Sequence, residues 1–172
     1  MYRVRNNLTT KALISIYYTL CYPHLIYCIS VWASTWPSFS KKLTIAQNKI
    51  FRSIFYNMKR YDSTKGVLSA YKFLNFENIH KYFTLFSIYK CITRYQGTQP
   101  FRLISTTHNT RGNNVNLICP HFRTVLFHKS LLYPGNQLWN SLLVDIEGFV
   151  NNGILTQFKK NVNSYLFSLQ QE

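Results

Sequence analysis

The side chains able to do chemistry in this chain are unevenly stocked. Its acids are Asp62, Glu77, Asp145, Glu147 and Glu172, against 20 Lys and Arg. Phosphoryl transfer through bound divalent cations needs carboxylates gathered at one place. Only Asp145 and Glu147 stand close together, in "LVDIEGF", where solvated charge is the expected state. Self-contained polymerase or nuclease chemistry is therefore not expected, and no residue is assigned a catalytic role. Cys21, Cys28, Cys91 and Cys119 form no CxxC pair, and three lie in apolar runs where free thiols pack as small hydrophobes. Cys119-Pro-His121 is the one close Cys–His combination, so neither a metal site nor a cofactor is expected. Unbridged cysteines fit a reducing compartment and argue against secretion.

Cations are the abundant resource. A formal net charge of +15 favours a polyanionic partner, either nucleic acid or an anionic membrane surface. The stretch 41–56, "KKLTIAQNKIFRSIFY", organises that charge. At helical spacing Leu43, Ala46, Ile50 and Ile54 gather on one side, with Lys41, Lys42, Lys49 and Arg52 roughly opposite. Lys59, Arg60 and Lys65 carry the charge onward, and Arg102, Arg111, Arg123, His128 and Lys129 punctuate a second basic stretch. An ordinary solvated helix face would share the periodicity, but such a face usually has acids interspersed, and this one has none.

The elements that must position these residues read as mostly helical. Residues 12–33 contain no Lys, Arg, Asp or Glu and are long enough to span a bilayer. Pro23-His24 at the centre, with Tyr throughout, favours two buried helices over 9–22 and 24–33, broken at the proline; a membrane or signal segment is the alternative. Asp62-Ser63-Thr64 caps a short helix over 64–72. A longer helix follows over 77–95, capped by Asn75 or Asn78, with His80, Thr84, Ser87 and Arg94 as its wet stripe. Within 101–133, "VNLICP" and "TVLFHKSLLY" read as strands. Pro134-Gly135 reads as a turn that stops whatever precedes it, before a short amphipathic helix carrying Leu138, Trp139 and Leu142, in which Trp139 anchors a core or marks a motif. A closing helix spans 154–169 with Ile154, Leu155, Phe158, Val162, Tyr165, Leu166 and Leu169 on one face. The expected fold is mainly α, a helical bundle with a small β element near 103–133. A helical region over 1–100 would be followed by basic loops, short strands and closing helices over 101–172, as one continuous domain.

In sequence order these pieces resemble the C-terminal part of reverse transcriptases from non-LTR retrotransposons, the LINE-type elements of the jockey-like group. "YYTLCYPHLIYCISVW" over 17–32 carries the family's Pro23-His24 and Trp32, and "LTIAQNKIFRSI" over 43–54 its Gln–Lys–Arg helix. Asn109-Thr110-Arg111, Arg123-Thr124, then Tyr133, Gly135, Trp139, Asn140 and Leu142, and finally "FKKNVNSYL" over 158–166 follow in the family's order. Leu143 stands where the family usually has proline. The resemblance implies a largely helical, thumb-like region that grips the RNA/DNA template-primer duplex and belongs to a larger polyprotein. The metal-binding palm, with its need for Mg, would lie before Met1. Expected partners are that duplex and the palm region, with no small-molecule substrate, no membrane, and an intracellular setting, cytoplasmic or nuclear. The expected nucleic-acid contacts are Lys41, Lys42, Lys49, Arg52, Lys59, Arg60, Arg111 and Arg123. Alternatives are a basic protein anchored to a membrane by 12–33 and a domesticated interaction module.

Overall fold

A computed structural model of the chain describes residues 5–33, 37–55, 57–59, 61–94, 101, 116–121, 123–150 and 155–171, with backbone alone at 5, 31, 37, 94, 143–150 and 171. The described residues are mainly helical, and no strand forms among them. Helices α1 (Thr10–Ile16), α2 (Tyr22–Ile26), α3 (Ile29–Trp32), α4 (Pro37–Ile54), α5 (Lys65–Ala70), α6 (Phe76–Arg94), α7 (Val125–His128), α8 (Leu132–Val150) and α9 (Leu155–Gln171) follow one another. Packing groups them differently from the expected 1–100 and 101–172 halves. One compact unit comprises Met1–His80 with Leu166–Glu172, the other Lys81–Tyr165.

In the first unit the chain does not break at Pro23. A π-helical turn, Tyr17–Cys21, joins α1 to α2, with the Tyr22 N–H donating to the Tyr17 carbonyl. Pro23 follows that π turn directly, and the helical run carries on through it to Ile26. The break comes instead at Tyr27-Cys28, where Cys28 takes a left-handed φ of 50°. No helix among the described residues is long and apolar enough to cross a membrane. The core of this unit is aromatic: the buried Phe73 ring lies 5.7 Å from Tyr17 and 4.9 Å from Phe51. Asn75 caps α6, its Oδ1 accepting from the Asn78 N–H at 2.8 Å. The last turns of α9 secure that corner: Gln170 Oε1 accepts from the Asn75 N–H and its Nε2 donates to the Phe73 carbonyl, at 3.0 and 3.1 Å. Asn78 Nδ2 donates to the Leu166 carbonyl at 3.0 Å.

Burial in this core pushes the Tyr17 hydroxyl from 10.0 up to about 12, although the Gln47 hydrogen bond pulls it down. An unfolded chain releases that proton through pH 10, whereas the folded one holds it to about 12. Stability from this group is thus whole below pH 10 and falls as pH rises through the window, by about 2 kcal/mol at its top. Urea unfolding midpoints across that window should drop more steeply for the wild type than for Tyr17→Phe. Parallel slopes would show that Tyr17 carries no share.

The second unit corrects the expected strands and turn. "TVLFHKSLLY" forms α7 and the start of α8, and Pro134-Gly135 lies within the first turn of α8 rather than before a helix. Proline is accommodated there because first-turn N–H groups have no intrahelical partner. Gly135 serves close approach: a Cβ on it would stand 3.1 Å from Ile88 Cδ1 and 3.5 Å from Thr84 Cγ2. That contact buries Thr84, placed by periodicity on the wet stripe of α6. "VNLICP" forms no ladder among the described residues, and the remainder of the expected β element, 103–115, lies outside them. The extended Leu117 is instead gripped by Asn140, whose Oδ1 accepts from the Leu117 N–H and whose Nδ2 donates to the Leu117 carbonyl, both at 2.9 Å. One turn earlier Asn136 Nδ2 donates to the Ile118 carbonyl at 2.8 Å.

Candidate nucleic-acid interface

Helix α4 turns Gln47, Phe51 and Ile54 into the core of the first unit. The buried line is rotated from the expected one: Gln47 is 0% exposed, while Ala46 faces solvent and Ile45 is largely uncovered. Burial of Gln47 is possible because its Nε2 has two acceptors, the Tyr17 hydroxyl at 3.3 Å and the Leu74 carbonyl at 3.0 Å. On the opposite face Lys41, Lys42 and Lys49 are all exposed. Phe39 is exposed beside them, with Lys42 Nζ 5.4 Å from its ring centre, a contact that steadies the ammonium without neutralising it.

Arg52 differs from its neighbours on this face. It is half-buried, and its Nη2 donates to the Asp62 carbonyl at 3.0 Å. Its guanidinium therefore holds the loop after α4, leaving less of it for a ligand. The same loop is tied by Asp62 Oδ2, which accepts from the Lys59 N–H at 2.7 Å, and by Thr64 Oγ1, which donates to Asn48 Oδ1 at 3.0 Å. Asp62, the one acid of this stretch, thus spends a carboxylate oxygen on a backbone N–H. Lys59 and Lys65 remain exposed, so the cationic face continues past the helix end. Arg60 and Arg111 lie outside the described residues.

The other expected residues divide by role. Arg123 is exposed, in the second unit. In the first unit, Pro23 and His24 are exposed, and Trp32 stacks on Phe76 with ring centres 5.7 Å apart while its Nε1 donates to the Tyr27 carbonyl. Trp139 is buried, 6.1 Å from the Phe158 ring, beside the Asn140 grip on Leu117. The Trp-Asn pair is accordingly architectural: one residue fills a core and the other bonds both backbone groups of Leu117. Among the described residues no three His, Cys, Asp or Glu come together to hold a metal ion.

Periodicity found Lys41, Lys42 and Lys49 but missed two features of this surface. The exposed aromatics Phe39 and Tyr61 were signalled only by their position beside lysines and arginines, as in "KRYD". The tether of Arg52 to Asp62 had no signal in the helical pattern. Comparison with protein-family models, curated proteins and solved structures finds no match to this chain.

Proposed function

We propose that this chain is a nucleic-acid-binding piece of a non-LTR-type reverse transcriptase, holding the RNA/DNA template-primer duplex by its phosphates and making no primer extension of its own. The observation that carries the reading is the outer face of α4, where Lys41, Lys42 and Lys49 stand exposed on a helix whose other side is locked into an aromatic core. Phosphate contacts of this kind set position and carry no base information, which suits a partner whose sequence changes at every step. The carboxylates needed to hold catalytic cations are not gathered in this sequence, so the proposed role is grip, with chemistry supplied by the parent polymerase's palm.

Replacing Lys41, Lys42 and Lys49 together by Gln tests the reading. Each lost phosphate contact should flatten the log–log salt dependence of duplex binding by roughly 0.9, so the triple variant should lose about 2.7 units of slope with base preference unchanged. Gln is a good helix former and the Gln47, Phe51, Ile54 side is untouched, so α4 survives. Arg52 is left in place, since removing it would also release the 59–64 loop. A folded triple variant with wild-type salt slope would refute the grip.

A further inference from the structure

The loop after α4 presents aromatic faces as well as charge. Tyr61 is 91% exposed, offering an open ring face beside the α4 lysines. The residue next to it, Asp62, is anchored three ways: its carbonyl accepts from Arg52, its Oδ2 from the Lys59 N–H, and its own N–H donates to the Lys59 carbonyl at 3.2 Å. Tyr61 therefore stands at a set place beside the C-terminal end of the α4 lysine face. A second ring, Tyr71, is 50% exposed at the end of α5 and packs on Phe55, the residue just after α4, with centres 4.6 Å apart. Lys59, Lys65 and Lys72, all exposed, alternate with these rings along the chain, and Lys72 takes a left-handed φ of 54°.

We infer that Tyr61 and Tyr71, with Lys59, Lys65 and Lys72, form a stacking platform for unpaired nucleotides, with Tyr61 as its principal ring, beside the duplex grip on α4. Open ring faces and cations in alternation match a strand whose bases are unstacked, because each nucleotide offers a π face and a phosphate together. A duplex hides its base faces and would leave Tyr61 and Tyr71 uncovered. An acidic peptide would satisfy the lysines and leave the rings with no flat partner. This inference rests on the proposed function and adds its substrate class: a paired segment that runs into single strand.

Tyr61→Ala removes no charge and, at 91% exposure, no packing. In the full chain it should weaken binding to fluorescent oligo-dT by roughly 5- to 150-fold, the usual worth of one base–aromatic stack. The salt slope on oligo-dT should stay at its wild-type value, since no phosphate contact is lost. Binding to an abasic strand of equal length and to a blunt duplex should not change. Tyr61→Trp should restore oligo-dT affinity, with the added indole fluorescence quenched on binding. Unchanged oligo-dT affinity in Tyr61→Ala, or equal losses on the abasic strand, would overturn the platform. A Tyr61-dependent loss on poly-glutamate as large as on oligo-dT would overturn it in favour of an acidic protein partner. If duplex binding keeps its α4-dependent salt slope while Tyr61→Ala is silent, the platform alone fails; if the wild type binds neither duplex nor oligo-dT, the grip fails with it.

Discussion

Phe158→Ala should cost the second unit about 3–5 kcal/mol. The ring is 2% exposed, stacks on Tyr89 with centres 4.1 Å apart and planes 17° from parallel, and meets Trp139 at 6.1 Å. Truncation loses the transfer term, leaves a cavity among rings too rigid to collapse into it, and forfeits an aromatic pair worth about 0.5–1.5 kcal/mol beyond its area. Against a typical total of about 5–15 kcal/mol that is a large share. Hydrogen exchange should report it as lost protection in the buried parts of 81–165, with thermal unfolding shifted several degrees down. Phe158→Leu keeps most of the volume and should recover over half of the loss. Protection unchanged in Phe158→Ala would mean that the Tyr89–Phe158–Trp139 cluster is not the centre of this unit.

Gln47→Leu is expected to be nearly as damaging, by a different route. Leucine suits the burial of the site but removes the amide that donates to the buried Tyr17 hydroxyl and to the part-buried Leu74 carbonyl. A buried polar group left without its bond costs about 1–3 kcal/mol, so the two acceptors together should cost at most about 2–6 kcal/mol, less because Leu74 is only part-buried and leucine gains apolar contact. Gln47→Glu should also destabilise at neutral pH, because a buried charged carboxylate cannot donate to the Leu74 carbonyl as the amide does. Chemical denaturation of the two variants, with Tyr17→Phe/Gln47→Leu as the double change, separates the terms. If Leu74 and Tyr17 both need Gln47, the double variant should be less unstable than the two single losses added together. Strict additivity would argue that the Gln47–Tyr17 contact is incidental.

Several features were legible in residue order alone because they depend on period and charge. The α4 lysines surfaced as expected: in a helix with one side buried, charged side chains favour the side left to solvent. In α9, Phe158, Val162 and Leu166 are buried on the face that spacing assigned, although Leu169 is 41% exposed at its end and Ile154 lies outside the described residues. Asn75 caps α6 because an Asx side chain at that position satisfies a first-turn N–H using only its neighbours in the chain. The mainly α class rests on the same local logic, repeated along the chain.

What the residue order left open was decided by partners far away in the chain. Pro23 and Pro134 both carry helix-breaking chemistry, yet one follows a π turn and the other lies in a first turn, where the missing N–H is not needed. Gly135 resembles a turn residue until Ile88, 47 positions away, closes to where a Cβ would stand only 3.1 Å from its Cδ1, and Thr84 beside it is buried. Gln47 belongs on the wet side by polarity, and enters the core because the Leu74 carbonyl, 27 residues on, gives its amide somewhere to donate. Arg52 sits among the exposed lysines by spacing but is drawn to the Asp62 carbonyl by a loop whose path no helical period describes. In each case local pattern sets which face a residue would take in isolation. Tertiary structure decides whether a buried polar group finds its bond or a close approach finds its gap, and those are properties of pairs brought together by folding rather than of positions along the chain.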